Sequence, residues 1–274
     1  MNDVRNKEDA MSGEFQAIRY EKHEGGIVLI TIDNSRSENC IDERVHEDLC
    51  RAWLAFRADP ELNVAVLTGA GEKSFCAGWD IKGYAKQTKG QKLEALRNRA
   101  SFGPGLGGLT RGIDVFKPIV AAINGYCLAG GMEIAMACDI RIGAAEAEFG
   151  VLNRRWDIGC ESGLTQRLPH IVGLGNALDL IISGRKFDAE EAHRIGFLNR
   201  VVPRESVVSA AMEYARGIAA LPQTSIRADK ESVLRGLGRS LSDGLWMENT
   251  LWNTTVHSED LEQGIERFAS RRAN

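Results

Sequence analysis

The run Ile119-Val120-Ala121-Ala122-Ile123-Asn124-Gly125-Tyr126-Cys127-Leu128-Ala129-Gly130-Gly131-Met132-Glu133 constrains this chain more than any other stretch. Its opening residues, directly after Pro118, form an apolar run long enough for a buried strand. Asn124-Gly125 breaks the run, since that pair readily takes positive φ. From Met132 the pattern Ile134, Ala135, Met136, Ala137, Cys138 suits a helix buried nearly all round. Gly130-Gly131 then falls at that helix's N-terminus, where backbone N–H groups lack helical acceptors and the dipole attracts negative charge. Glu133, in the first turn, can face whatever the Gly130 N–H holds. The same residues also fit ordinary capping, a glycine pair before a helix with an acid in its first turn.

With 274 residues, 43 % of them apolar, the chain can bury one large domain, or one plus an appendage. A formal net charge of −4 argues against a nucleic-acid partner. No stretch approaches the apolar length that crosses a bilayer, so no membrane partner is expected. Residues 1–13 are polar and mixed in charge, lack the apolar core of a signal peptide and are too acidic for a transit peptide. A disordered tail is expected there. Cys40, Cys50, Cys76, Cys127, Cys138 and Cys160 show no metal-ligand spacing, so no metal is expected. Several lie in apolar runs where a reduced Cys acts as a small core residue, and a reducing, cytoplasmic location fits best.

Two strands are expected over 17–24 and 27–32, around the turn Gly25-Gly26. A helix from about Asp42 places Val45, Leu49 and Trp53 on one face and ends at Asp59-Pro60. Residues 64–68 read as a short buried strand and 69–80 as a loop. This succession predicts an α/β layering with helices packed on sheets. A helix is expected over 93–99. The Gly- and Pro-rich stretch 101–108 that follows is either a mobile lid or a plain connection. Strands at 139–143 and 148–152, helices at 164–171 and 176–182, and a turn and strand at 196–203 complete an α/β core over 14–203. Residues 204–274 form a helical C-terminal region. Its Leu245, Trp246, Leu251 and Trp252 exceed what a solvated tail needs, which points to packing on the core or on a neighbouring subunit, the core first.

Several motifs fail. Gly69-Ala70-Gly71-Glu72-Lys73-Ser74 has Glu72 where a phosphate-binding loop needs Gly before its Lys. No GxSxG nucleophile elbow occurs. Phe75-Cys76-Ala77 reads as packing rather than as a nucleophile, and the five scattered histidines are given no role.

Two separated pieces agree with each other. Ser74-Phe75-Cys76-Ala77-Gly78-Trp79-Asp80-Ile81-Lys82 and Asn124 to Glu133 resemble the signature of the enoyl-CoA hydratase/isomerase (crotonase) family. Phe149-Gly150, Gly163-Leu164-Thr165-Gln166-Arg167-Leu168, the run from Ala192 to Pro203 and the run from Ser258 to Gly264 extend the likeness over nearly the whole chain from about Phe15. The resemblance implies a crotonase-type spiral of repeated ββα units with a helical C-terminal part, assembled as a homotrimer or dimer of trimers. It implies an acyl-CoA thioester as substrate, with coenzyme A entering as part of that thioester and no permanently bound cofactor. Carried over, the thioester oxygen lies between the backbone N–H groups of Trp79 and Gly130. Negative charge develops on that oxygen, and removing one such donor typically costs about 2.7–4 kcal/mol of barrier. Ser37, Asn39, Ala77, Gly78, Asp80, Ile81 and Lys82 match segments that enclose the adenine and pantetheine arm; Lys82 is either a phosphate contact or a solvated surface residue.

Hydratases of the family use two glutamates on one water. Glu133 matches the first, but the second position falls on Asn153, whose amide cannot exchange a proton as a carboxylate does. Glu161 matches the place where dienoyl-CoA isomerases and some dehalogenases of the family carry an acid; it is either Glu133's partner in the pocket or a surface acid in a loop. Trp79 is bulkier than the Ala common at its position and would reshape the acyl pocket. One of Arg154 and Arg155 could read a substrate carboxylate, although a structural salt bridge is the more ordinary use. The expected activity is water addition to an α,β-unsaturated acyl-CoA through Glu133 and Glu161, an enoyl-CoA hydratase. The alternatives are an enoyl- or dienoyl-CoA isomerase using the same residues, and an acyl-CoA-binding homologue with weak catalysis.

Overall fold

The apolar runs become interior strands of a mostly parallel sheet, whose strands are covered on both faces and so need no polar alternation. The computed structural model describes residues 15–92, 94–95 and 103–271. Strands β1 (Ile18–His23) and β2 (Ile27–Ile32) form a hairpin over Gly25 and Gly26, whose φ angles of 80° and 74° suit glycine. Helix α1 (Glu43–Ala58) follows, with the Asp42 carboxylate accepting the Val45 N–H at 2.9 Å as its cap, and buries Val45, Leu49, Trp53 and Phe56.

β3 (Val64–Gly69) is buried at every position and pairs in parallel with β2. After it the chain alternates between two sheets. β4 (Ser74–Cys76), β6 (Tyr126–Leu128) and β8 (Glu148–Gly150) enter the smaller sheet. β5 (Ile119–Ile123) and β7 (Ile140–Ala144) return to the larger one. Each large-sheet strand with its small-sheet successor is one turn of a spiral. Helices α2 (Ile81–Thr88) and α3 (Gly130–Ala137) leave the turns just beyond β4 and β6. The ββα spiral is therefore present.

α4 (Leu164–Val172) and α5 (Leu174–Ser183) lead to β9 (Lys186–Asp188), antiparallel to β8, and α6 (Ala189–Arg194) leads to β10 (Arg200–Val202), parallel to β7. α7 (Val207–Ala219) lies against β3, β5 and β7 and buries Val207, Ala211, Met212 and Ala215. α8 (Gln223–Gly236), α9 (Leu241–Asn253) and α10 (Glu259–Arg271) end the described chain.

Three expectations need correction. The segment 69–80 is not all loop, since it contains β4, and the break at Asn124-Gly125 is followed at once by β6. Both strands are three residues long, too short to show a period. Gly125 is absent from the positive-φ residues; a Cβ there would overlap the Lys73 carbonyl, so close backbone passage is what requires glycine. Leu245, Trp246 and Trp252 do not pack on the core: all three are exposed, Trp246 by 75 %. The tail expected at 1–13 and the helix expected over 93–99, apart from the helical residues 94–95, lie outside the described residues.

Candidate active site

The two sequence signatures meet where β4 and β6 hand over to their helices. Gly78, at φ 101°, packs so closely on the next turn that a Cβ there would stand 2.9 Å from the Gly130 nitrogen. The Trp79 nitrogen in turn lies 3.4 Å from where a Gly130 Cβ would be. Peptide geometry then sets the N–H directions, because the N–H and C=O of a trans peptide point opposite ways. The Gly78 carbonyl accepts the Ile41 N–H at 2.7 Å, which turns the Trp79 N–H to the other side. The Ala129 carbonyl accepts the Met132 and Glu133 N–H groups inside α3, which turns the Gly130 N–H out of the helix end. Ala129 holds a φ of 48°, unfavourable for a residue with a Cβ, a strain of about 1–3 kcal/mol that the surrounding structure must enforce.

Glu133 is 6 % exposed. Its Oε1 accepts the Ser162 N–H at 3.0 Å and the Leu164 N–H at 3.3 Å, so Oε2 is the oxygen available to the cavity. Burial pushes its carboxyl above the ordinary range; the two N–H bonds and Arg167 oppose that rise, and Glu161 adds to it. Arg167 ties this corner together, donating to the Ser162 carbonyl at 3.3 Å and the Thr110 carbonyl at 2.7 Å. A Cβ on Gly163, at φ 100°, would overlap its guanidinium.

Above Glu133 opens a cavity of about 490 Å³. Of the predicted residues, Trp79, Gly130, Glu133, Asn153, Glu161, Ala77 and Ile81 all line it. Glu161 is exposed and in electrostatic reach of Glu133. Asn153 donates its amide to the Ile158 carbonyl at 3.1 Å and the Cys160 sulfur at 3.3 Å, while its buried Oδ1 has no partner among the described residues. Arg154 makes no salt bridge among the described residues; it donates to the same Ile158 carbonyl at 2.5 Å and to Cys160.

Of the remaining predicted residues, Gly78 is buried behind Trp79, Asp80 is half-buried at the start of α2, and Ser37 and Lys82 are exposed nearby. Asn39 is fully buried, and its amide donates to the Ala70 and Ser74 carbonyls, so its side chain braces the loop after β3. Cys76 is core, as expected, and burial pushes its thiol up to about 12.

Sequence reasoning missed Ser162, Arg167, Trp156 and His46. Ser162 acts through its backbone N–H, and the Arg167 guanidinium acts on backbone carbonyls, partners that no motif spells out. His46 was passed over with the other histidines, yet its ring stands edge-on to Trp79, centroids 6.0 Å apart, and its Nδ1 accepts the Gly107 N–H at 3.2 Å. The Gly107 carbonyl takes the Trp53 indole N–H at 2.9 Å, so the described part of the Gly-rich stretch is pinned to α1. From it Leu106 reaches into the cavity wall against Gly130.

The alternating ββα turns and the acid-bearing cavity between them define an α/β enzyme built around a helix-terminal site. Comparison places it further. The sequence profile of the enoyl-CoA hydratase/isomerase family matches residues 22–274. The chain is 35 % identical over 249 residues to the (E)-benzylidenesuccinyl-CoA hydratase of Thauera aromatica, covering 90 % of this chain and 94 % of that one. It is 38 % identical over 253 residues to a carnitinyl-CoA dehydratase of Salmonella arizonae, with 90 % and 94 % coverage. The crystal structure of an enoyl-CoA hydratase from Bacillus anthracis superposes with a TM-score of 0.83 at 32 % identity, covering 93 % of this chain and 97 % of that one. The chain belongs to the enoyl-CoA hydratase/isomerase family and is an acyl-CoA enzyme of it.

Proposed function

We propose that the protein is an enoyl-CoA hydratase, a lyase that adds water across the double bond of an α,β-unsaturated acyl-CoA. The observation that carries this is Glu133: a buried carboxylate fixed by two backbone N–H groups, in one cavity with Glu161 and beside the Trp79 and Gly130 backbones. In this mechanism the thioester oxygen lies between the Trp79 and Gly130 N–H groups, which stabilise the enolate formed as the water oxygen bonds to Cβ. Glu133 takes the water's proton, its raised pKa bringing it closer to the working pH. The proton that completes Cα comes from Glu161 or returns from Glu133. Asn153 orients the water without exchanging its proton. The loop at Ser37 and Asn39, with Gly78, Asp80, Ile81 and Lys82, encloses the coenzyme A arm.

Asn153 also favours a second reading, double-bond isomerisation, in which one acid removes a proton from one carbon and returns it to another without water. The two relatives named for hydration and dehydration support the first. The six free thiols fit a cytoplasmic enzyme.

Incubation of enoyl- and dienoyl-CoA thioesters in D₂O, read by mass spectrometry, tests this. A product heavier by one heavy water is expected, and Glu133→Gln should slow its formation by about 10²–10⁴-fold. A shifted double bond without water gain would make it an isomerase. A Glu133→Gln rate equal to wild type would remove Glu133 from the mechanism.

A further inference from the structure

The chemistry proposed above uses neither of the cavity's two indole rings. The Trp79 ring is backed edge-on by His46, at an interplanar angle of 64°. Because the Trp79 N–H faces the proposed oxyanion position, the first carbons of the acyl group must lie near that residue. Trp156, at the end of the turn 152–156, is 69 % exposed and still lines the cavity. Leu106, Leu152 and Ile158 complete the wall, and among the described residues no Lys or Arg lines it.

We infer that this cavity selects 2-enoyl-CoA thioesters bearing an aromatic ring on Cβ, with Trp79 and Trp156 as the side chains that determine the choice. The inference rests on the hydratase reading. A ring conjugated to the double bond is flat and rigid, so it loses little rotamer freedom against these walls, whereas an alkyl chain of equal size loses more. Edge or offset contacts with indoles add to the apolar burial. A second carboxylate on the acyl group would face Glu133 and Glu161 with no lining cation to meet it. A quaternary ammonium group would find ring faces but also three aliphatic walls that offer it no countercharge.

The test compares cinnamoyl-CoA, crotonyl-CoA and 4-trimethylammoniocrotonyl-CoA as substrates of wild type, Trp156→Ala and Trp156→Phe, with binding measured by calorimetry and mass by light scattering. Wild type should show the highest kcat/KM with cinnamoyl-CoA. Trp156→Ala should lower the cinnamoyl-to-crotonyl ratio about tenfold, and Trp156→Phe should restore most of it. A preference for either other thioester, or a ratio unmoved by Trp156→Ala, overturns the inference. So does a changed assembly mass in Trp156→Ala, which would make the ring an interface residue. Failure of the hydratase reading looks different: a wild type that hydrates none of the three but binds cinnamoyl-CoA most tightly keeps the aromatic pocket and loses the hydratase reading.

Discussion

At the scale of single residues, the proposed proton-transfer group is also one that works against the fold. Glu133 is buried with its pKa raised from the ordinary 4.5, so the folded protein holds this proton more tightly than the unfolded chain does. The sign follows from that. The contribution of the neutral carboxyl is fully present below about pH 4.5 and is lost as pH rises through the raised folded value. Above that value a charged carboxylate sits in the cavity at a cost to stability. Glu133→Gln keeps an oxygen for the Ser162 and Leu164 N–H groups and removes the titration. Its melting temperature relative to wild type should therefore climb as pH rises from about 4.5 through the raised folded value and level off above it, while its activity is largely lost. Thermal scans of both proteins at several pH values check this. A constant gap between the two curves would mean that burial does not shift this carboxyl.

At the scale of elements, the site depends on two chain segments passing close enough to bring the Trp79 and Gly130 backbones together. Gly78 permits that approach, being both at φ 101° and within 2.9 Å, by its missing Cβ, of the Gly130 nitrogen. Gly78→Ala should leave the circular dichroism spectrum near wild type and lower kcat about 10²-fold, the usual cost of misplacing reacting groups by an ångström. Wild-type kinetics in this variant would show that the two segments need not touch. Gly130, Gly131 and Glu133 were legible because a glycine pair and an acid precede an apolar helical pattern in one stretch, whereas Gly78 was legible only through the family resemblance. The apolar runs of β2, β3 and β5 were legible from local pattern too. What was not legible depends on partners distant in the chain. β4 and β6 exist because they pair with each other across about fifty residues, which no local period reveals. Ser162 matters through its N–H, a group nearly every residue carries, and the Arg167 guanidinium matters through carbonyls at Ser162 and Thr110 that only the fold brings to it.

At the scale of the whole molecule, the surface carries more apolar area than the single chain can use. On α5, Leu174, Leu178 and Ile182 recur every fourth residue and are 65 %, 45 % and 73 % exposed, a stripe along one face. In the C-terminal helices, Trp246 and Trp252 of α9 and Ile265 and Phe268 of α10 are each more than half exposed. Large apolar side chains exposed in this number on a folded chain suit contact surfaces. The α9 aromatics were assigned to the core because a sequence shows that a side chain is large and apolar but not whether the fold buries it. The two patches lie on different elements, which suits two kinds of interface, one closing a ring of three and one joining two rings, since closed assemblies of six are built that way. Light scattering is expected to return a mass of six chains. Ile182→Glu, on α5, should reduce it to three while the trimer stays folded, and Trp246→Glu should break the assembly down to smaller species with a lower melting temperature. The reverse pattern, with Trp246→Glu yielding the stable trimer, would exchange the roles of the two patches. A wild type that runs as a monomer would leave both stripes to be covered by something other than this chain.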